Sequence, residues 1–587
     1  MFSVLRKLDW FFKEHWKRYT IAIFFLVVAS FIELVPPRLI GMSIDEIYLG
    51  TLTEQGLSNL LWLYVAVAIG LYIINYWWIT ALFGGAFLAE RTLRRKLVNH
   101  FLSMTPVFFQ RNRTGDLMAR ATNDLKAVSM TTGNGILSLV DVVAFAGAIL
   151  VMMFGFISWK LALVSILPMP LMAFLINRYG KQIHTRFSRA QDSFGQLNDR
   201  VLESIAGVRV IRAFVQEAAD QKRFGEMAEE VYAKNMEVAK IDSLIEPTIK
   251  LLVGISYMLG FIYGGFLVFR QELTLGELVT FNVYLGMLIW PMFGIGELIN
   301  IMQRGSASLD RVNETLSYQV EVRDPEKPVD VEVPQTICFE QVSFRYPLAA
   351  SEQLRDISFT LRRGQTLGIV GRTGSGKTTL VRQLLRYYPL GSGSITISGQ
   401  PLENIPVDTI RSWVGYVPQE QILFSKTVRE NVQFGKRDAA EEELQRALQL
   451  SAFAKDVHFL PQGLETLVGE KGVALSGGQK QRVSISRALL IQPEILILDD
   501  AMSAVDGRTE AEMIANLRRE RAGKTTLITT HRLSAVQHAD LILVLDEGRI
   551  VQSGTHEQLL AEEGWYREQY ERQQVEAAIQ TDRQVNA

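Results

Sequence analysis

At 587 residues the chain is too long for one hydrophobic core, so two or more domains are expected. A net charge of −1 gives no general attraction to nucleic acid, and none is expected as a partner. The single cysteine, Cys338, excludes an intrachain disulfide and a cysteine-based metal site and reads as a small buried residue.

The first half carries long apolar runs. Six stretches approach the roughly 20 mostly apolar residues that a bilayer crossing needs. They lie near Tyr19–Ile40, Leu60–Phe87, Gly135–Phe156, Leu161–Asn177, Leu251–Phe269 and Leu278–Ile301. From Gln55 to Ala89 there is no charged side chain. The first run follows a basic, aromatic lead, Arg6 to Arg18, without a small-residue cleavage site, so it reads as a span rather than a leader. The segment from Glu90 to Lys126 is rich in basic residues, among them Arg91, Arg94, Arg95 and Lys96. The opposite loop, Gly41–Leu57, has Asp45, Glu46 and Glu54 and no basic residue. The bias predicts a multi-pass protein of the cytoplasmic membrane with both termini in the cytoplasm. Leu93, Leu97, Phe101 and Met104, and later Phe194, Leu197, Val201, Ile205 and Val208, recur at helical spacing. The spans are therefore expected to continue as helices into the cytoplasm, turning back through short elements near Gly115–Met118 and Phe214–Phe224.

Residues 1–318 form this expected membrane domain. Residues 319–334 (QVEVRDPEKPVDVEVP) are charged, hold three prolines and lack helical period, which marks a linker. In residues 335–587 short β-type runs alternate with helical patterns, as in a doubly wound α/β core. The strand-like run Thr366–Val370 leads into Gly371-Arg372-Thr373-Gly374-Ser375-Gly376-Lys377-Thr378-Thr379, and a helical run follows. This is a phosphate-binding loop in its proper context: backbone N–H groups and a helix N-terminus face the phosphates, Lys377 reaches the β- and γ-phosphates, and the Thr378 hydroxyl faces Mg²⁺. Val417-Pro418-Gln419 ends another strand, and Gln419 is a candidate ligand of Mg²⁺ or of the attacking water. Leu475-Ser476-Gly477-Gly478-Gln479 is a second glycine turn opening a helix, hence a second anion cradle. Asp499 ends the apolar run Ile495–Leu498, where a carboxylate is costly unless it faces a ligand, and is assigned to Mg²⁺. His531 ends the run Thr525–Thr530 at a strand terminus that faces the ligand crevice. One chain with two phosphate cradles invites head-to-tail pairing with ATP at the seam.

These motifs resemble the ATP-binding cassette superfamily over essentially the whole chain. Six spans followed by one nucleotide domain resemble an exporter half-transporter: a membrane α-helical domain with long cytoplasmic extensions, then an α/β P-loop nucleotide-binding domain. The resemblance implies ATP and Mg²⁺ as ligands. It places Tyr346 as the adenine-stacking residue, Gln419 in the Q-loop and Glu470 in the exporter cross-subunit loop. It makes Leu475–Gln479 the signature that contacts ATP in trans, puts Asp506 in the D-loop and makes His531 the switch histidine. It also makes Arg113–Met118 and Phe214–Phe224 coupling helices. The departure is Asp500, where such proteins usually place Glu as base. Asp is one carbon–carbon bond, roughly 1.5 Å, shorter, and proton transfer demands hydrogen-bond reach. A weak catalytic carboxylate beside an intact signature implies one half of a heterodimeric bacterial multidrug exporter, partnered by a second, non-identical half-transporter and by membrane lipids.

For the substrate, Glu33, Asp141 and Glu297 lie in or near spans, where a bare charge costs roughly 2.5–3.5 kcal/mol. With aromatics such as Trp290 they suggest a small hydrophobic or cationic molecule, although packing and interfacial anchoring also use such residues. A lipid flippase has the same motifs, and a ligand-gated channel or regulatory subunit would also accommodate a slow site.

Overall fold

A computed structural model describes residues 3–347, 349–469 and 475–585. The chain divides into two compact units, Met1–Leu102 with Thr114–Tyr318, and Ser103–Arg113 with Gln319–Ala587.

The first unit is all helical. Among the described residues, five helical stretches are long and apolar enough to cross a membrane: Trp16–Tyr48, Glu54–Ser103, Thr114–Ile166, Glu217–Phe269 and Leu275–Ser317. They overrun their apolar windows widely. Glu217–Phe269 has 53 residues, which at the helical rise is roughly 80 Å, against about 30 Å of hydrocarbon. The extension into long helices that the periodicity predicts is therefore present. The expected span Leu161–Asn177 is instead divided between two helices, Trp159–Ile166 and Pro168–Ala206. Ser158, extended at φ −161°, caps the first of these with its hydroxyl. Pro168 lacks an N–H and so starts a new helix rather than continuing the old one.

Both turn elements lie upstream of their expected positions. Gly115–Met118 falls inside the helix Thr114–Ala119. The short helix is Pro106–Arg111, between extended Thr105 and extended Asn112, and it belongs to the second unit. The second is Val208–Ala213, after Gly207 closes the long helix. Val215 at φ +54° then breaks the path, and Glu217 starts the next helix. The signals were Pro106 and Gly207, a helix starter and a helix stopper.

Helices Val35–Tyr48 and Leu275–Met287 approach each other closely in this unit. A Cβ on Gly41 would stand 2.5 Å from the Gly276 carbonyl oxygen, and one on Gly276 would stand 2.6 Å from Asp45 Oδ2. Small residues let two membrane helices touch backbone to backbone. Asp45 then caps the second helix, accepting from Gly276 N at 2.7 Å and from Thr274 Oγ1 at 2.6 Å. Tyr284 Oη donates to Leu34 O at 2.6 Å further along the same seam.

Among its described residues the second unit holds ten strands: β1 Thr336–Phe344, β2 Leu354–Arg362, β3 Thr366–Gly371, β4 Ser392–Ile397, β5 Gln400–Pro401, β6 Val414–Val417, β7 Ile495–Asp499, β8 Thr525–Thr529, β9 Leu541–Asp546 and β10 Arg549–Gly554. One sheet has the order β2-β1-β4-β5 and is antiparallel. The other has the order β10-β9-β3-β8-β7-β6, and its five strands other than β10 run parallel. The parallel sheet is covered on both faces, which explains its continuous apolar strands. Along β7, Leu496 and Leu498 enter one core with Leu444, Leu448 and Val483. Ile495 and Ile497 enter the other with Phe339, Ile395 and Leu384. Val107 of the short helix is fully buried in that second core, so residues 103–113 are an integral piece of this unit.

Candidate functional site

The parallel strands β3, β6, β7 and β8 end on one side, and their C-terminal ends carry the site. After β3, Gly371, Gly374 and Gly376 take φ of +145°, +84° and +104°. At Gly376 a Cβ would also stand 2.7 Å from Gln353 O, so glycine is required there for conformation and for space. The loop ends in the helix Lys377–Leu384. Lys377 Nζ curls back to donate to the Gly371 and Arg372 carbonyls, both at 2.9 Å. Burial lowers the Lys377 ammonium below its ordinary value, against the pull of Asp500 and Asp499. Arg372, Thr373 and Gly374 are exposed on the loop, and Ser375 is buried with no partner for its hydroxyl among the described residues. Tyr346 Oη donates to Thr379 Oγ1 at 3.0 Å, and its ring stands edge-on to Phe344 and Tyr388, each at 5.0 Å.

Beside the loop, Thr378 Oγ1 donates to Asp499 Oδ1 at 2.9 Å. Strands β7 and β8 pair in register, Asp499 opposite Thr529, so Thr529 Oγ1 donates to the same oxygen at 2.6 Å. Tyr416 Oη, from β6, donates to Asp499 Oδ2 at 3.2 Å. A hydroxyl and a carboxylate side by side are hard oxygen donors that fit Mg²⁺. Gln419 is exposed in the loop after β6, and no hydrogen bond among the described residues ties it to these groups.

Asp500 takes a left-handed backbone, φ +50°. Its N–H is held by Thr529 O at 2.9 Å and by Thr529 Oγ1 at 3.1 Å. Its carboxylate is buried, with Oδ2 at 3.2 Å from His531 Nε2 and Oδ1 without a partner among the described residues. Burial pushes this carboxyl above its ordinary value; the His531 charge opposes that and the Asp499 charge adds to it. Five of the residues singled out from sequence, Lys377, Thr378, Asp499, Asp500 and His531, thus converge at one set of strand ends.

The signature segment is a separate construction. Ser476 caps the helix Gly477–Leu490: its Oγ accepts from Gln479 N, and Gln479 Oε1 accepts from Ser476 N. Leu475 is buried, Gly477 packs on Ala504, and a Cβ on Gly478 would stand 2.8 Å from Ala504 O. No hydrogen bond or ion pair among the described residues joins this segment to the phosphate loop. Asp506 caps the next helix, accepting from Thr509 N at 2.9 Å, and that bond holds its carboxyl below the usual range. Glu470 lies outside the described residues.

Several site residues escaped the motif reading. Tyr416 and Thr529 hold the Asp499 carboxylate. Gln481 binds the Ser503 hydroxyl and the Ala504 N–H, and Arg532 binds the Ser503 and Val505 carbonyls, so both fix the loop before Asp506. Tyr416 and Thr529 had one available signal, their place at the C-terminal ends of apolar strands.

In the first unit, Glu33 closes the helix Trp16–Ile32, and that helix packs against the segment Asp141–Phe145 that begins with Asp141. Trp290 and Glu297 are exposed on the helix Ile289–Ser317 and join neither acid.

Residues 19–292 match the family of the ABC transporter transmembrane region and residues 354–503 the ABC transporter family. The chain is 62% identical to the probable multidrug resistance ABC transporter ATP-binding/permease protein YheI of Bacillus subtilis, over 98% of both chains. It is 42% identical to the multidrug resistance-like ATP-binding protein MdlA of Escherichia coli, over 98% of this chain and 97% of the other. A solved structure of a bacterial Atm1-family ABC exporter with ATP bound matches with a TM-score of 0.75 and 26% identity, over 95% of this chain and 98% of the other. The chain belongs to the ATP-binding cassette exporters: it is a multi-pass, ATP-hydrolysing half-transporter with a membrane domain and a nucleotide-binding domain in one polypeptide.

Proposed function

We propose that this half-transporter exports small hydrophobic or cationic molecules across a bacterial cytoplasmic membrane, both termini in the cytoplasm, as one subunit of a heterodimer. It resembles the BmrC subunit of such a multidrug exporter. On this reading residues 1–318 are the membrane domain, apart from the stretch 103–113 that packs in the nucleotide unit, 319–334 are the linker and 335–587 the nucleotide domain. The observation that carries the heterodimer is Asp500: a buried carboxylate on a backbone tied at Thr529, with a side chain one bond shorter than the usual Glu. Its basicity suits a general base, since burial raises it; its reach does not.

Tyr346 stacks on adenine, and residues 372–379 wrap the phosphates. Lys377 leaves the Gly371 and Arg372 carbonyls for phosphate oxygens. Thr378, Asp499 and Gln419 are the residues that would hold Mg²⁺, which when bound neutralises charge between the β- and γ-phosphates. His531 donates toward the γ-phosphate. The signature, Leu475–Gln479, lies apart from its own phosphate loop and completes the partner's site, as does the D-loop at Asp506. ATP binding thus closes the seam between subunits, and hydrolysis at the partner's site reopens it. Only differential binding to the closed and open states drives the cycle.

The test is ATPase activity of this chain alone and paired with its non-identical mate. Low turnover alone and brisk turnover in the pair is the expected result; brisk turnover alone overturns the heterodimer. Within the pair, Ser476→Arg removes the helix cap and fills the trans cradle, and is expected to abolish most ATP hydrolysis. Unchanged pair activity would contradict the signature's role.

For the cargo, the acids Glu33 and Asp141 both lie within the apolar helical stretches of the membrane unit, where an uncompensated charge is costly, and this favours a cationic ligand. Glu33→Gln with Asp141→Asn is expected to cut transport of a cationic dye into inside-out vesicles about tenfold. Export of a neutral apolar dye is expected to persist. Full retention of cationic transport would remove these acids from the substrate path.

A further inference from the structure

The C-terminal helix Trp565–Val585 reaches the strand ends that carry the site. It is anchored at its start. Tyr566 is fully buried, its N–H donates to Gln552 Oε1 at 3.1 Å, and its hydroxyl stands 2.8 Å from His556 Nδ1. Seven residues, two turns, further along the same face comes Gln573. Its amide makes two bonds of opposite sense to the segment after β8. Gln573 Nε2 donates to His531 O at 2.7 Å, and Gln573 Oε1 accepts from Leu533 N at 2.9 Å. From the other side, Arg532 ties the same three residues to the Ser503 and Val505 carbonyls and to buried Glu510, while Ser534 Oγ also binds Glu510.

We propose that Gln573 is a positioning residue for the nucleotide site. The amide clamps the backbone of His531 on both sides of Arg532, and so fixes where the imidazole points. The side chain of His531 is half exposed and, among the described residues, makes one polar contact of its own, to Asp500 Oδ2 at 3.2 Å. Its orientation therefore rests on its backbone, and the backbone is held by a side chain 42 residues away in sequence. An amide matches this task because it offers a donor and an acceptor in one plane, which a carboxylate or an ammonium does not. The C-terminal helix thereby becomes part of the nucleotide-sensing apparatus.

The proposal rests on His531 meeting the γ-phosphate, and the experiment separates the two claims. Affinities of the purified full chain for ADP and for a non-hydrolysable ATP analogue are measured by displacement of a fluorescent nucleotide. His531→Ala is expected to lower the preference for the triphosphate about tenfold with ADP affinity unchanged. Gln573→Met keeps the bulk and removes both bonds; it is expected to lower the same preference roughly fivefold, again without effect on ADP. Gln573→Glu keeps the acceptor for Leu533 and loses the donor to His531, and is expected to fall in between. In the double variant, Gln573→Met is expected to add nothing to His531→Ala. If His531→Ala leaves the preference intact, the γ-phosphate reading of His531 fails. If His531→Ala lowers it and Gln573→Met does not, or lowers both affinities together, the positioning role of Gln573 is overturned.

Discussion

Asp500→Glu is expected to raise the ATPase rate of this chain, purified alone, by roughly 100-fold. The argument turns on a fixed backbone. The Asp500 N–H is bound by both the carbonyl and the hydroxyl of Thr529, and the residue sits at φ +50°. The main chain therefore cannot advance the carboxylate toward an attacking water; only a longer side chain can. The added bond supplies roughly 1.5 Å, the difference between a contact and a gap in proton transfer. Basicity is already in place, because burial holds the Asp500 carboxyl above the ordinary range. Glu tolerates the left-handed backbone less well than Asp, at a cost of about 1 kcal/mol, too little to offset the gain. An unchanged rate in the Glu variant would show that reach is not what limits this site. The same measurement on the pair isolates the effect: a partner that carries the main turnover masks most of the gain.

Gly276→Val is expected to leave no stable membrane unit. The new Cβ would stand 2.6 Å from Asp45 Oδ2 and as close to the Gly41 carbonyl carbon. Neither can yield. One belongs to a helix backbone, and the other is fixed by Thr274 Oγ1 and Gly276 N. Separating the helices to admit the side chain breaks both bonds to a carboxylate, each worth about 1.5–3 kcal/mol. Overpacking adds about 1–3 kcal/mol. The sum is on the order of the whole stability of a domain. Gly265→Val is the control: nothing lies within 4 Å of a Cβ there, and that variant is expected to insert and melt as the parent does. The readouts are recovery in membranes and the thermal midpoint in detergent. A Gly276→Val protein with the parent's midpoint would mean that the seam between these helices is not closed as described.

The motifs of the nucleotide unit were legible because each is a short run of adjacent residues whose chemistry is local. A phosphate loop needs its glycines at fixed spacing, and Lys377 and Thr378 follow in the same turn. Ser476 and Gln479 cap each other three residues apart. The spans were legible from length and missing charge. The turn elements were misplaced by several residues because apolar periodicity runs straight through them. Pro106 and Gly207, the local stop signals, carried the answer.

The sequence by itself determined the two-part architecture and the two glycine turns, at Gly371–Gly376 and Gly477–Gly478, each opening a helix, since these are properties of neighbouring residues or of mean hydropathy. Only the tertiary structure decided which side chains surround them. Tyr416 and Thr529 meet Asp499 because three parallel strands end together, and in-register pairing sets Thr529 opposite it. Gln573 reaches His531 because a helix begun at Trp565 returns to the strand ends. Val107 enters the core of the nucleotide unit from a stretch lying between two membrane helices. Such contacts leave no periodic or spacing signature, because each joins segments separated by tens to hundreds of residues, and their geometry exists only once the sheet has formed.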